Sequence, residues 1–124
     1  MKVWLDDLRD PAQAHLHYAY FVESEDEEWI NSWKDPEVVW VRGSRQCIRL
    51  LEKGQVTQIA FDHDLGPYGC GMDVANWIER AASEGRIPRL RWSVHSANPV
   101  GRRQMAQALQ NADKFWDEQE KRNP

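Results

Sequence analysis

The chain has 124 residues, a length that suits one domain and excludes two ordinary ones. Its 16 basic and 20 acidic side chains leave a net charge of −4, which argues against a broad basic face for wrapping nucleic acid but not against binding one nucleotide or one RNA end. With 41% hydrophobic residues, 29% charged residues and seven Trp, the composition is that of a folded globular domain and not of a disordered chain.

The first apolar run, Val3-Trp4-Leu5, is short and bounded by Asp6-Asp7, so it reads as a buried strand that Arg9-Asp10-Pro11 brings to an end. The stretch Ala14 to Val22 fits neither period. Ser24 with Glu27 three residues on forms a capping box, and Trp29, Ile30 and Trp33 follow at helical spacing until Asp35-Pro36. Val38 to Val41 is the second strand. Ser44 is the expected N-cap of a helix that turns Cys47, Ile48 and Leu51 to one face and closes at Gly54. Gln58 to Phe61 is the third strand and leads into Asp62-His63-Asp64, then a glycine-rich loop. Val74, Ala75, Trp77, Ile78, Ala81 and Ala82 form the stripe of the next helix. In the fourth strand, Leu90 to His95, alternation sets Leu90, Trp92 and Val94 against Arg91, Ser93 and His95, as in an edge strand with one half-exposed face. Asn98-Pro99 has the residue types of a helix start, and the charged tail is expected to fray after Trp116.

Strands alternating with helices predict an α/β three-layer sandwich with a mostly parallel sheet of about four strands, lacking an evident fifth. Residues 1–124 read as a single domain, with 14–35 as an insertion and 117–124 as a frayed tail. Neither a signal-like segment nor a membrane-length apolar run is evident. Cys47 and Cys70 match neither a disulfide framework nor a zinc spacing, so a cytoplasmic location is expected.

Parallel strands bring their C-terminal ends to one edge, where ligands bind in open α/β sheets. Four carboxylates collect there, Asp6, Asp7, Asp62 and Asp64. Packed like charges call for neutralisation, and Mg²⁺ or another divalent cation is the usual answer. Caps and turns are the competing use of Asp7 and Asp64. His63 and His95 end two different strands, and a histidine pair suits acid and base work near neutral pH. Two arginines in the first turn after Asn98-Pro99 oppose the helix dipole. An anion held there by backbone N–H groups, Ser96 and Arg102 would reverse that sign.

The strings LDD-x-R-x-P, FDHDLG, G-x-D-V-A-x-W-I-E and VHSANPVGR-x-x-M resemble the cyclic-phosphate processing receiver-domain family, a divergent relative of two-component receiver domains. The resemblance implies a flavodoxin-like fold and a role in processing cyclic phosphates on RNA ends or nucleotide derivatives. It carries onto Asp6, Asp7, Arg9, Asp62, His63, Asp64, His95, Ser96, Asn98 and Arg102. A phosphorelay receiver also needs a lysine after a fifth strand, and Lys114 sits instead in the charged tail.

The expected function is therefore a phosphoesterase that opens a cyclic phosphate. His63, His95 and Asp62 would be catalytic, Arg9, Ser96, Asn98 and Arg102 would bind phosphate, and Asp6, Asp7, Asp62 and Asp64 would hold the metal. The expected partner is a small nucleotide-like or RNA-end cyclic phosphate, with no membrane and no extended duplex. The alternatives are a non-catalytic nucleotide or phosphate sensor and an Asp62-phosphorylated signalling module.

Overall fold

A computed structural model of the chain describes residues 1–16, 21–22 and 27–122. The strands are β1 (Lys2–Leu5), β2 (Phe21–Val22), β3 (Val39–Val41), β4 (Gln58–Phe61) and β5 (Arg91–His95). The helices are α1 (Glu27–Ser32), α2 (Ser44–Glu52), α3 (Gly71–Ser83) and α4 (Pro99–Arg122). Short 3₁₀ turns cover Pro11–Leu16 and Gly66–Tyr68.

The sheet order is β2-β5-β4-β1-β3. Four strands are parallel, as the sequence implies: Val3 pairs with Val39, Leu5 with Phe61, and Ile59 with Trp92. The four form the 2-1-3-4 core of a flavodoxin-like sheet. The fifth place belongs to β2, which comes from the segment of no clear period and runs antiparallel, Phe21 opposite His95. The Ser24 half of the expected capping box lies outside the described residues.

Alternation along the strands divides the interior. Val3, Leu5, Val41, Ile59, Phe61, Trp92 and Val94 face the large core beneath α2, α3 and α4. Trp4 and Ala60 face the other way, onto Trp29, Ile30 and Trp33. The second core is aromatic: Trp33 meets Trp4 edge-on at 5.2 Å and Trp29 at 5.5 Å. Truncating any of these three buried indoles to Ala would cost about 3–5 kcal/mol.

Three local expectations need correction. β5 is not half-exposed: Trp92 to His95 are all buried and only Arg91 is exposed, because β2 and α1 cover its edge and second face. Ser93 accepts a hydrogen bond from Trp29 Nε1 at 2.9 Å, and Arg91 stacks on the Trp29 ring. Ser44 is not an N-cap. Extended Gly43 precedes α2, and the Ser44 hydroxyl donates to the Tyr68 carbonyl. Helix α4 does not end near Trp116 but continues to Arg122. Its last turns are held by Arg89, which pairs with Asp113, Asp117 and Glu120, and by Gln119, whose amide donates to the Ala82 carbonyl at 2.7 Å.

Candidate functional site

Asp6 leaves the end of β1 on the tryptophan side of the sheet and is fully buried. Its Oδ1 accepts the backbone N–H groups of Leu8 and Arg9, both at 2.9 Å, an arrangement that folds the loop back over the strand. Its Oδ2 lies 2.9 Å from Nε2 of His95. His95 ends β5 on the same side, is also fully buried, and stacks on Trp4 with 4.1 Å between ring centroids. The Asp6 carboxyl is held below its ordinary range: burial pushes it up, but the His95 contact and the two N–H groups outweigh burial.

Asp62 leaves β4 between these two strands, only 6% exposed. Its Oδ1 accepts the His63 N–H at 2.8 Å. Its Oδ2 receives Nη1 of Arg9 at 3.1 Å, and the same nitrogen lies 3.5 Å from Asp6. One guanidinium thus sits between two buried carboxylates. Burial and the negative charge of Asp6 raise the Asp62 carboxyl, and His95 and Arg9 only partly oppose them.

Asp6, Asp7 and Asp62 bring carboxylate oxygens within 4.8 Å of one another. That donor set suits a hard divalent cation in type and spacing. Most of its oxygens already have partners in Arg9, His95 and backbone N–H groups, so a cation there would compete with the Arg9 guanidinium. Asp64 does not join the trio. It is exposed, and its Oδ1 accepts the Gly66 N–H at 2.9 Å, the turn use weighed against metal binding.

The paired use of His63 and His95 is not what the geometry offers. Parity along β4 sends Asp62 toward the tryptophan side and His63 toward the helices. There the His63 ring packs so closely on Gly101 of α4 that a Cβ on that glycine would lie 2.5 Å from it. Its Nε2 lies 3.7 Å from Cys70 Sγ. His95 is on the other side, against Trp4 and Asp6.

The start of α4 is likewise no open cradle for phosphate. Asn98 Oδ1 accepts the N–H groups of Val100 and Gly101, both at 3.1 Å, and Pro99 has none to offer. The Asn98 carbonyl accepts the N–H of Arg102, so the first turn caps itself. Ser96 Oγ accepts the Asn98 N–H, and the Arg102 guanidinium donates to the Ser96 carbonyl at 3.0 Å. Ser96, Asn98 and Arg102 shape this corner, and of the four expected phosphate ligands Arg9 alone lies in the acidic cluster.

Two tryptophans outside the strand-end motifs fix the site. Trp4 Nε1 donates to the Arg9 carbonyl and Trp40 Nε1 to the Asp6 carbonyl, each at 2.8 Å. These two indoles clamp both ends of the Asp6–Arg9 loop. The signal available in sequence was the excess of Trp, with Trp4 and Trp40 each in a strand beside the acidic loop.

A family model described as the cyclic-phosphate processing receiver domain matches residues 1–111. No curated protein and no solved structure matches the chain.

Proposed function

The chain belongs to the cyclic-phosphate processing receiver-domain family, and on that footing we propose that it opens a cyclic phosphate ester, on an RNA end or a nucleotide derivative, at the edge formed by Asp6, Asp7, Asp62 and Arg9. The supporting observation is the Arg9 guanidinium held between two buried carboxylates above the Asp6–His95 pair. Buried charge is expensive, and an apolar cluster would serve stability as well. Its presence at the ligand-binding edge of the sheet suits a site that handles a charged ligand.

In this reading water attacks phosphorus, one phosphorus–oxygen ester bond breaks, and the ring opens to a phosphomonoester. Asp62, with its raised carboxyl, accepts the proton lost by water, and solvent at the edge protonates the leaving alkoxide. Arg9 meets the phosphate oxygens as they gain charge. His95 does not touch substrate; it is a positioning residue that fixes Asp6, and through Asp6 the Arg9 loop. A divalent cation held by Asp6, Asp7 and Asp62 would take the place of the Arg9 guanidinium on those carboxylates, leave Arg9 to the phosphate, and supply further positive charge beside the same oxygens.

The test is product analysis over 2′,3′-cyclic nucleotides, a cyclic-ended oligoribonucleotide and ADP-ribose cyclic phosphate, with and without EDTA. We expect one class to gain a molecule of water, EDTA to suppress that gain, and Asp62→Asn to lower the rate at least ~100-fold with an unchanged circular dichroism spectrum. Absence of product from every substrate would overturn catalysis. The second reading, a phosphate sensor using the same pocket, draws on the complete burial of Asp6 and His95. It expects saturable quenching of tryptophan fluorescence without product. Asp62 phosphorylation has weaker support: β2 is antiparallel where a receiver has its fifth parallel strand, and Lys114 lies about 22 Å along α4 from the helix start. Acetyl phosphate with Mg²⁺ should leave the intact mass unchanged.

A further inference from the structure

A groove of about 810 Å³ opens beside the acidic cluster, between the start of α2 and the Gly66–Tyr68 turn. Arg42, Arg45, Arg49 and Tyr68 line it, and Asp73 is the one carboxylate among its lining residues. Arg45 and Arg49 are exposed and lie one helical turn apart on α2, about 6 Å between their Cβ atoms. Among the described residues no carboxylate pairs with either. Tyr68 is 57% exposed, unusual for so large an aromatic side chain in a chain that buries Trp4, Trp29 and Trp33 almost completely.

The groove and the acidic cluster share a wall. Arg42 Nη1 donates to the Asp7 carbonyl at 2.8 Å while its guanidinium stacks on Trp40 at 4.3 Å. Gly66, which opens the Tyr68 turn, stands so close to Asp7 Oδ2 that a Cβ there would lie 3.2 Å away. A ligand seated against Asp7 therefore continues directly into a channel of three arginines and one open aromatic face. On a protein with a net charge of −4, that concentration of positive charge is local and directional.

We propose that this groove holds the nucleotides 5′ of the cyclic phosphate, so that the domain acts on the 3′ end of single-stranded RNA in preference to a free cyclic mononucleotide. Successive backbone phosphates would meet the Arg42, Arg45 and Arg49 side chains, and a base would stack on Tyr68. A phosphate track with an aromatic platform is how single strands are bound without sequence readout. The proposal rests on the cyclic-phosphate reading for what happens at the end of the strand. The binding of the strand itself stands apart from turnover.

Two measurements keep these separate. Fluorescence anisotropy with a short 5′-labelled oligouridylate ending in a 3′-phosphate reads binding alone. We expect the double variant Arg45→Ala/Arg49→Ala to weaken it at least tenfold and to lower the salt slope by about 0.7 per arginine removed. Tyr68→Ala should weaken it about tenfold while leaving the salt slope unchanged. Turnover is then compared on a 2′,3′-cyclic mononucleotide and on an oligoribonucleotide with the same cyclic end. The double variant should lose the preference for the oligonucleotide, through KM, and keep the rate on the mononucleotide. Thermal melting of each variant confirms an intact fold.

Binding that depends on the arginines, without turnover of either substrate, would uphold the groove and overturn the esterase reading. Turnover with equal kcat/KM for both substrates, unchanged in the double variant, would do the reverse. Failure of the oligouridylate to bind would overturn the groove outright and leave these arginines to an acidic protein partner.

Discussion

Asp6 and Asp62 contact the same guanidinium nitrogen, yet their environments push them in opposite directions. The Asp6 carboxyl is depressed below 3.8, so its ionised form stabilises the fold above that value, and the contribution is lost as pH falls through the folded-state value. The Asp62 carboxyl is raised, so its contribution is present below 3.8 and lost as pH rises through the folded-state value. Asp6→Asn should therefore destabilise the protein at neutral pH by about 3–5 kcal/mol, since it breaks a buried pair. The same change should flatten the acid limb of the stability curve. Asp62→Asn should be neutral or stabilising at neutral pH. Urea melts of both variants across the acid range read the contrast, and equal losses at neutral pH would refute it. The two thiols divide in a similar way. Burial pushes Cys47 up to about 12, whereas Cys70 is half-buried at the edge. Ellman's reagent should react with one thiol per native chain near pH 8 and with two after unfolding. At this scale the sequence showed which residue types would gather at the strand ends. It did not show which would touch. Whether a residue after a strand faces the helices or the tryptophans depends on register, and a shift of one residue reverses the answer. Register is why His63 and His95 read as partners and lie apart.

At the scale of elements, α3 begins where β4 ends with almost no space between them. Gly71 N–H donates to the His63 carbonyl at 2.7 Å, and a Cβ on Gly71 would lie 1.9 Å from the Asp62 carbonyl oxygen. Gly71→Ala must therefore move backbone and should cost about 3 kcal/mol or more. Gly101→Ala meets the His63 ring, Cγ included, and the clash is relieved by swinging that side chain about χ1 instead of moving backbone, so it should cost less. Chemical denaturation of the two variants gives the ranking. The helices were legible wherever an apolar stripe and a cap coincide, as at Asn98 for α4 and at Gly54 after α2, whose N–H donates to the Leu51 carbonyl. Two features were hidden for physical reasons. A strand as short as β2 carries no period, and its place beside β5 comes from tertiary pairing. The end of α4 is written in Arg89, far off in the chain, whose partners Asp117 and Glu120 appear in sequence only as tail charge.

For the whole molecule, the two cores differ in what they support. The larger holds the three helices to the sheet, and the smaller lies directly beneath the Asp6–Arg9 loop through Trp4. Trp33→Phe should accordingly leave far-ultraviolet circular dichroism intact while disturbing near-ultraviolet signals and phosphate-site binding together. Intact binding despite an altered near-ultraviolet spectrum would show that the loop stands without this support. Strand order has a further consequence, one of time. β1 is made first but lies in the middle of the sheet, flanked by β3 and β4. Its pairing with β4 joins Leu5 to Phe61. During synthesis Val3-Trp4-Leu5 must therefore wait for its second neighbour until Phe61 has been made, about halfway along the 124 residues, and for the Asp6–His95 contact until β5 is complete. Loops of that length are slow to close. Chains arrested at successive lengths should remain sensitive to protease until His95 has left the ribosome, and gain protection in one late step.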